Sequence, residues 1–316
     1  LNVGGLANLT GAAQLDSASI ANSVDGLSTA LAGQGQTVTG LTSLGEIADT
    51  AFTVAPAAPG AAVGLSLRTF DADLNINVAS DAMLTAQGFS NLDATATSTA
   101  GNAIADAGAR DTSTVTGIAA GMDINIGGVG NLTALAQGTA DASAESVTGY
   151  ADAFGAQKAL GINQLEIKTA SDDTLKSTAS VVGSATATTT GDATGTDFAA
   201  AGIDFDATGI NGLAMQSGGL GNLSATASVT GNADATSVSN AADARGEIDA
   251  MGLQDAWFSS SSDGNITGMG IINSGINATS TASTANAEGD FDATGIKTLE
   301  AGIGGISTLK GQAQVK

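Results

Sequence analysis

The sequence predicts an all-β fold of repeated long strands, either β-solenoid-like or an elongated β-sandwich or jelly-roll. Three features predict it: sustained alternation of small apolar with small polar residues, a recurring Asn-Leu-x-Ala motif, and an aromatic content of only 3%. Alternation with a period of two places one residue type on each face of a strand. A helix is disfavoured because Thr, Ser, Asn, Asp and Gly are interleaved through the same runs.

The motif marks the repeated unit. It reads Asn-Leu-Asp-Ala at 91–94, Asn-Leu-Thr-Ala at 131–134 and Asn-Leu-Ser-Ala at 222–225, and each copy opens an alternating run. A return segment with larger apolar residues around Gly-Ile follows. Unit starts are expected at Leu9, Ile47, Leu92, Leu132, Leu175, Leu223 and Ile276. The starts lie 38–53 residues apart, so the sequence predicts about seven degenerate units that stack on one another.

The units are expected to form one elongated domain over residues 1–316, with a weak boundary near 56–64, where Pro56 and Pro59 interrupt the pattern. Ala dominates the hydrophobic residues, so thin layers are easier to build than a thick core. Solenoid coils tend to keep a tighter period than these units, so the sandwich or jelly-roll is nearly as well supported as the solenoid. The sequence does not separate these architectures.

Charge and composition limit the partners and the compartment. Nine basic residues stand against 31 acidic ones, a formal net charge of −22, which disfavours nucleic acid and anionic membrane surfaces. No apolar run is long enough for membrane insertion. The chain lacks Cys and begins at Leu1. We therefore expect an exported protein with a removed leader, located outside the cell or on its surface.

The residue inventory predicts that the protein is not an enzyme. The chain contains no His and no Cys, which excludes Ser-His-Asp and Cys-His arrangements and removes the usual zinc ligands. No spacing singles out a pair of carboxylates for acid–base catalysis. We expect no catalytic residues and no organic cofactor.

Two Asp-x-Asp pairs predict a calcium site. Asp204 and Asp206, and likewise Asp290 and Asp292, open two nearly identical segments at 204–210 and 290–296. On a strand, residues i and i+2 lie on one face about 7 Å apart, and a neighbouring strand would supply further oxygen ligands. The alternative interpretation is a solvated acidic face beside a turn. A third pair occurs at 71 and 73.

In composition and in its alternating repeats, the whole chain resembles secreted prokaryotic β-repeat proteins of cell surfaces and extracellular filaments. The resemblance implies self-assembly by sheet extension or strand addition. We therefore expect a structural subunit of an extracellular filament or cell-surface layer that binds copies of itself head to tail through a terminal segment, within 1–10 or 305–316. Cell-surface components are further expected partners.

The alternative function is a surface adhesin or an ice-binding-type repeat protein. Short threonine ladders at 95, 97 and 99, and at 186, 188 and 190, support it, although they do not recur in every unit. A flat threonine array at constant period would favour this alternative.

Overall fold

A computed structural model describes residues 2–33, 36–45, 61–69, 74–108, 113–119, 121–191 and 197–316. These residues form strands and turns without any helix, so none of them belongs to a helix able to cross a membrane. The strands are β1 (Asn2–Val3), β2 (Ala7–Asp25), β3 (Ser28–Ala32), β4 (Thr37–Gly45), β5 (Ala61–Thr69), β6 (Leu74–Val78), β7 (Ala82–Ala100), β8 (Ala103–Ala107), β9 (Thr114–Ile118), β10 (Met122–Ile126), β11 (Gly130–Thr148), β12 (Ala151–Thr169), β13 (Asp173–Thr189), β14 (Ala199–Ser217), β15 (Gly221–Ser237), β16 (Ala242–Ser260), β17 (Gly264–Ser280), β18 (Ala285–Ile296), β19 (Leu299–Ile303) and β20 (Ser307–Val315).

The strands form two parallel sheets. Sheet 2 has seven strands in the order β2-β7-β11-β13-β15-β17-β20, and sheet 1 contains the other thirteen. From β10 to β18 the chain enters sheet 1 and sheet 2 in turn, so β10 to β16 each pair with the strand two places later, while β17 pairs with β20 because β18 and β19 both lie in sheet 1. Shorter strands replace the long ones near the N-terminal end of sheet 1, where β5 pairs with β4 and lies at the edge.

Neighbouring strands are held in one register over their whole length. Leu132 lies opposite Leu175, Leu175 opposite Leu223, and Leu223 opposite Ile266. From β10 onward, side chains bonded across neighbouring strands are separated by 43 or 48 residues along the chain, as in the pairs Ser228–Ser180 and Asn265–Asn222. Identical or similar residues therefore form straight columns across each sheet.

The two sheets face each other across a thin core with two clusters. One cluster consists mainly of alanines from both sheets, such as Ala142 and Ala185 in sheet 2 and Ala153 and Ala201 in sheet 1. The other contains larger side chains, such as Leu132 and Ile162. Since Ala adds only a methyl group, the backbones of the two sheets lie closer together at the alanine cluster.

A column of glycines in sheet 1 separates the two clusters. Gly117, Gly161, Gly209, Gly252 and Gly295 occupy equivalent positions on successive strands. A Cβ on Gly209 would lie 2.6 Å from the carbonyl oxygen of Gly252 and 2.9 Å from the backbone nitrogen of Thr226 in sheet 2. Only glycine fits because the two backbones are in contact here. We call this column the glycine ladder.

The turns from sheet 1 into sheet 2 alternate between two types. Asp81, Asp172 and Asp263 end one type, and Gly-Gly pairs begin the other at 127–128, 218–219 and 304–305. Each aspartate accepts a hydrogen bond of 2.8 Å from a backbone amide of the following glycine turn, at Val129, Leu220 and Ile306. Each aspartate turn is thereby linked to the glycine turn stacked beside it.

The predicted fold class is wrong: the chain is not a β-solenoid-like protein, elongated β-sandwich or jelly-roll of about seven 38–53-residue units. The described residues are nevertheless all-β. Sandwiches and jelly-rolls pair their strands antiparallel, whereas every described strand pair is parallel. The two sheets are also open, so the arrangement is not clearly a solenoid. Two predicted unit starts are mid-strand positions: Leu92 lies opposite Ala140, and Ile276 opposite Ala233. The reason is that a two-residue alternation looks the same at every second position, so it does not determine the register of a long strand.

Some sequence predictions fall outside the described residues. These are the unit start at Ile47, the Asp pair at 71 and 73, and residues 56–60 of the weak boundary predicted near 56–64. The single-domain organisation stays a prediction.

Replacing Gly209 by Ala is expected to lower the free energy of unfolding by about 1–3 kcal/mol, because the new Cβ overlaps backbone atoms of both sheets. The control is Gly302→Ala on β19, where no atom lies within 4 Å of the new Cβ. Urea denaturation followed by circular dichroism measures both variants. Equal midpoints for the two variants would show that the glycine ladder is not a close contact.

Candidate functional site

The structure brings the four predicted calcium ligands to one face of sheet 1. Asp204 and Asp206 lie on β14, and Asp290 and Asp292 lie on β18. Strand β16 lies between them and places Glu247 next to Asp204 and Asp290. The same strand places Asp249 between Asp206 and Asp292. We call these six carboxylates the acidic array: Asp204, Asp206, Glu247, Asp249, Asp290 and Asp292.

The array has two acidic residues on each of three adjacent strands. Neighbouring strands are about 4.8 Å apart and residues i and i+2 about 7 Å apart, so each carboxylate has like charges on several sides. A groove of about 350 Å³ lies beside the array, and Phe154, Arg245 and Glu288 contribute to its lining. This arrangement concentrates negative charge on a surface open to solvent.

Basic side chains neutralise only part of this charge. Lys158 on β12 donates to Asp206 Oδ2 at 2.6 Å, which pairs one of the four predicted ligands with an amine. Arg245 Nη2 lies 2.9 Å from Asp243 Oδ2, beside the array rather than within it. The remaining carboxylates therefore face one another.

The pKa values of two members reflect this crowding. Burial raises the pKa of Asp204, and the charges of Glu247 and Asp206 raise it further, while Lys158 lowers it. Burial also raises the pKa of Asp249, followed by the charges of Asp206, Asp292, Glu247 and Asp290. The central position of Asp249 explains why all four of these carboxylates act on it.

Sequence reasoning missed Glu247 and Asp249 because their segment, Arg-Gly-Glu-Ile-Asp, does not contain the Asp-x-Asp pattern. The sequence does contain a signal for these two residues. Pairs of acidic residues separated by one residue recur at the spacing between equivalent positions of β14, β16 and β18. Among the described residues no three carboxylates converge on one point as ligands of a metal ion do. The calcium site at Asp204, Asp206, Asp290 and Asp292 stays a prediction.

A second carboxylate is isolated inside the protein. Asp173 begins β13 between Gly130 and Gly221 of the adjacent strands and is fully buried. Neither carboxylate oxygen has a hydrogen-bond partner among the described residues. Burial raises the pKa of Asp173 to about 7, and the nearby Thr174 amide, although not in hydrogen-bond geometry, opposes the shift. Asp173 is therefore expected to take up a proton near neutral pH.

The two ends of the stacked strands form a different kind of site. We call β18, β19 and β20 the C-terminal end face, and β1, β2, β3 and β5 the N-terminal end face. Leu309 on β20 extends the buried column of Leu223 and Ile266, which are 2% and 1% exposed, yet Leu309 itself is 64% exposed. On the N-terminal end face Leu6 is 77% exposed. A core column of sheet 2 thus ends at the uncovered Leu309 on the C-terminal end face, and Leu6 is an uncovered apolar side chain in the turn before β2.

No family model, no curated protein and no solved structure matches this chain. The expectations that the protein is not an enzyme, needs no organic cofactor and has no catalytic residues stay predictions.

If calcium binds the acidic array, millimolar calcium should raise the melting temperature and a chelator should reverse the gain, because the cation offsets the repulsion among the carboxylates. Asp249→Asn should raise the melting temperature without calcium and reduce the gain with it, since one central charge is lost. Asp206→Asn should also reduce the gain. Differential scanning calorimetry measures all of these. An identical melting temperature with calcium and with chelator would rule out the ion.

Asp173 is expected to make stability depend on pH. Between about pH 4 and 7 the folded chain keeps a proton that the unfolded chain releases, so the free energy of unfolding falls as pH rises through this window. Asp173→Ser should therefore be more stable than the natural chain at pH 8, by up to roughly 4 kcal/mol, and similar to it at pH 4. Urea midpoints at both pH values measure this, with the exposed Glu145→Ser as control. A difference independent of pH would contradict the assignment.

Proposed function

We propose that the protein is a structural subunit, not an enzyme, that assembles with copies of itself end to end by extending both parallel sheets. The carrying observation is that inward columns of sheet 2 end at the exposed Leu309 and Val315, that Ile296 and Ile303 at the end of sheet 1 are only partly buried, and that the end strands have one edge unpaired among the described residues. We place this assembly outside the cell or on its surface, which the Cys-free and strongly acidic composition supports.

The edge strands supply the hydrogen bonds for such an assembly. Strand β20 pairs with β17 on one side only, and all nine of its residues are exposed. Unpaired N–H and C=O groups along an edge strand are a template for another strand, and soluble monomers usually protect them. Each interior strand is bonded on both sides in the same parallel pattern. An added strand at β20 would therefore reproduce a contact that the sheet already contains.

The apolar end residues supply the hydrophobic contribution. Leu309 is 64% exposed and Val315 50%, although their counterparts on β17, Ile266 and Ile272, are buried, and Ile306 in the preceding turn is 79% exposed. Full burial of one such side chain contributes roughly 1.5–3 kcal/mol. Several of them together with a row of backbone hydrogen bonds are sufficient to stabilise an end-to-end contact.

A second candidate, ice-binding or adhesion, has some support on the outer face of sheet 2. Thr188, Thr236 and Thr279 lie in register on adjacent strands, as a flat threonine array would require. Glu145 and Asp234 interrupt this row and the row beside it. Charged interruptions weaken a regular array, so self-assembly remains the better-supported function.

Leu309→Glu is expected to abolish end-to-end assembly while leaving the subunit folded, because this side chain is exposed in the subunit and would be buried in the contact. An unpaired charge there should cost roughly 3 kcal/mol, about a 100-fold loss in association constant. The control is Gln314→Glu, which adds the same charge to an outward-facing position of β20. Sedimentation velocity and negative-stain microscopy measure assembly, and circular dichroism checks the fold.

Two results would contradict the proposal in different ways. A natural chain that stays monomeric at all accessible concentrations would show that the protein does not assemble by itself. Polymers of Leu309→Glu that match those of the natural chain would show that assembly uses another surface.

A further inference from the structure

The two end strands of sheet 2 carry the same motif. Residues 4–15 read Gly-Gly-Leu-Ala-Asn-Leu-Thr-Gly-Ala-Ala-Gln-Leu, and residues 304–315 read Gly-Gly-Ile-Ser-Thr-Leu-Lys-Gly-Gln-Ala-Gln-Val. The inward-facing residues agree most closely: Leu9 with Leu309, Gly11 with Gly311, Ala13 with Ala313 and Leu15 with Val315. These pairs belong to the same columns of sheet 2, since Ala7 and Ser307 hold equivalent positions in β2 and β20.

Sheet 1 shows the same correspondence at its two ends. Ile303 of β19 continues the column that begins at Val3 of β1. Strand β5 pairs with β4 through Leu65 opposite Leu41, and Leu41 belongs to the column that ends at Ile296. Strand β5 therefore occupies the edge position that β18 of a stacked copy would meet.

We infer that two copies join with Ser307 of one opposite Ala7 of the next, so that β20 pairs in parallel with β2, β19 with β1, and the C-terminal part of β18 with β5. This inference rests on the proposed function and specifies its contact. In this register Leu309 packs on Leu9, Gly311 on Gly11 and Ala313 on Ala13, as residues of one column do elsewhere in sheet 2. A shift of one residue would place inward-facing side chains outward.

Charge favours the head-to-tail orientation. Strand β20 and the residue after it contain Lys310 and Lys316 and no acidic residue, whereas β2 contains no basic residue. With Val315 opposite Leu15, Lys316 lies opposite Asp16 of the next copy. A tail-to-tail contact between two β20 strands would instead bring lysines together, and like charges on paired strands are destabilising.

The turns at the joint lack one hydrogen bond. A Gly-Gly turn at 304–305 would stack on the Gly-Gly turn at 4–5, and neither pair carries a side chain. No aspartate would be present to accept the amide of Leu6, as Asp263 does for Ile306. The joint is therefore weaker at this turn than the rows inside a subunit.

The absence of cysteine from the natural chain allows a direct test of the register. In the double variant Asn8→Cys with Thr308→Cys, both sulfurs lie on the outer face, and paired strands put the Cα atoms about 4.8 Å apart, within the range for a disulfide. The matched control is Asn8→Cys with Gln312→Cys, which shifts one partner by four residues, about 13 Å. Both variants keep Leu309 and the other inward-facing residues.

Under mild oxidation of assembled samples, the first pair is expected to give a ladder of covalent oligomers on a denaturing gel, and the shifted pair to stay mainly monomeric. Thr308→Cys alone should give no covalent dimer, because two β20 strands do not meet. Polymers that form without cross-linking of the first pair would overturn the register and leave the proposed function intact. A dimer from Thr308→Cys alone would show a tail-to-tail contact. Absence of polymers by microscopy would overturn both proposals.

Discussion

The contact between the backbones of the two sheets at the glycine ladder constrains the rest of the structure. Because no side chain separates the sheets there, the core on either side must be thin, and the alanine cluster follows from this geometry. Larger rings fit only where the opposite strand also lacks a side chain. Phe205 is 1% exposed, and a Cβ on Gly183 would lie 2.7 Å from its ring. The abundance of Gly and Ala is therefore a requirement of packing rather than a sign of disorder.

In-register stacking has a cost as well as a benefit. Straight columns allow asparagine side chains to bond along a sheet, as Asn125 donates to Asn77 and Asn77 to Asn2, both at 3.1 Å. The same geometry places like charges side by side, and the raised pKa values of Asp204 and Asp249 record the repulsion. The aspartate turns avoid this repulsion because glycine turns alternate with them and supply an amide to each carboxylate.

The sequence was sufficient to predict strands and their two faces, but not how the strands pair. Inward positions such as Leu132, Ala134 and Ala136 could be identified from alternation, because that pattern depends only on local geometry. Parallel pairing depends on contacts 43 to 48 residues away, and small residues fit many registers almost equally well. For the same reason Leu92 was interpreted as a unit start although it lies in mid-strand.

The candidate sites were predictable to different degrees. The Asp-x-Asp pairs could be identified from spacing alone, but the central Glu247 and Asp249 become visible only when β14, β16 and β18 are aligned. Nothing local distinguishes Asp173 from the exposed acids, because its burial comes from the turn that precedes it and from glycines on both neighbouring strands. The glycine ladder was visible as recurring Gly-Ile pairs, yet its role depends on the opposite sheet, which the sequence does not position.

The distribution of charge bears on the proposed end-to-end assembly. With a net charge of −22, two copies approaching face to face bring acidic rows together, and this repulsion is strongest where the acidic array covers sheet 1. The end strand β20 carries lysines and no acidic residue, so repulsion from acidic rows is smallest at this strand of the C-terminal end face, whereas β18 on the same face carries Asp290 and Asp292 of the acidic array. Backbone hydrogen bonds and exposed apolar residues lie on the same end faces. In the proposed assembly, repulsion between the acidic faces would therefore oppose lateral association and favour linear growth.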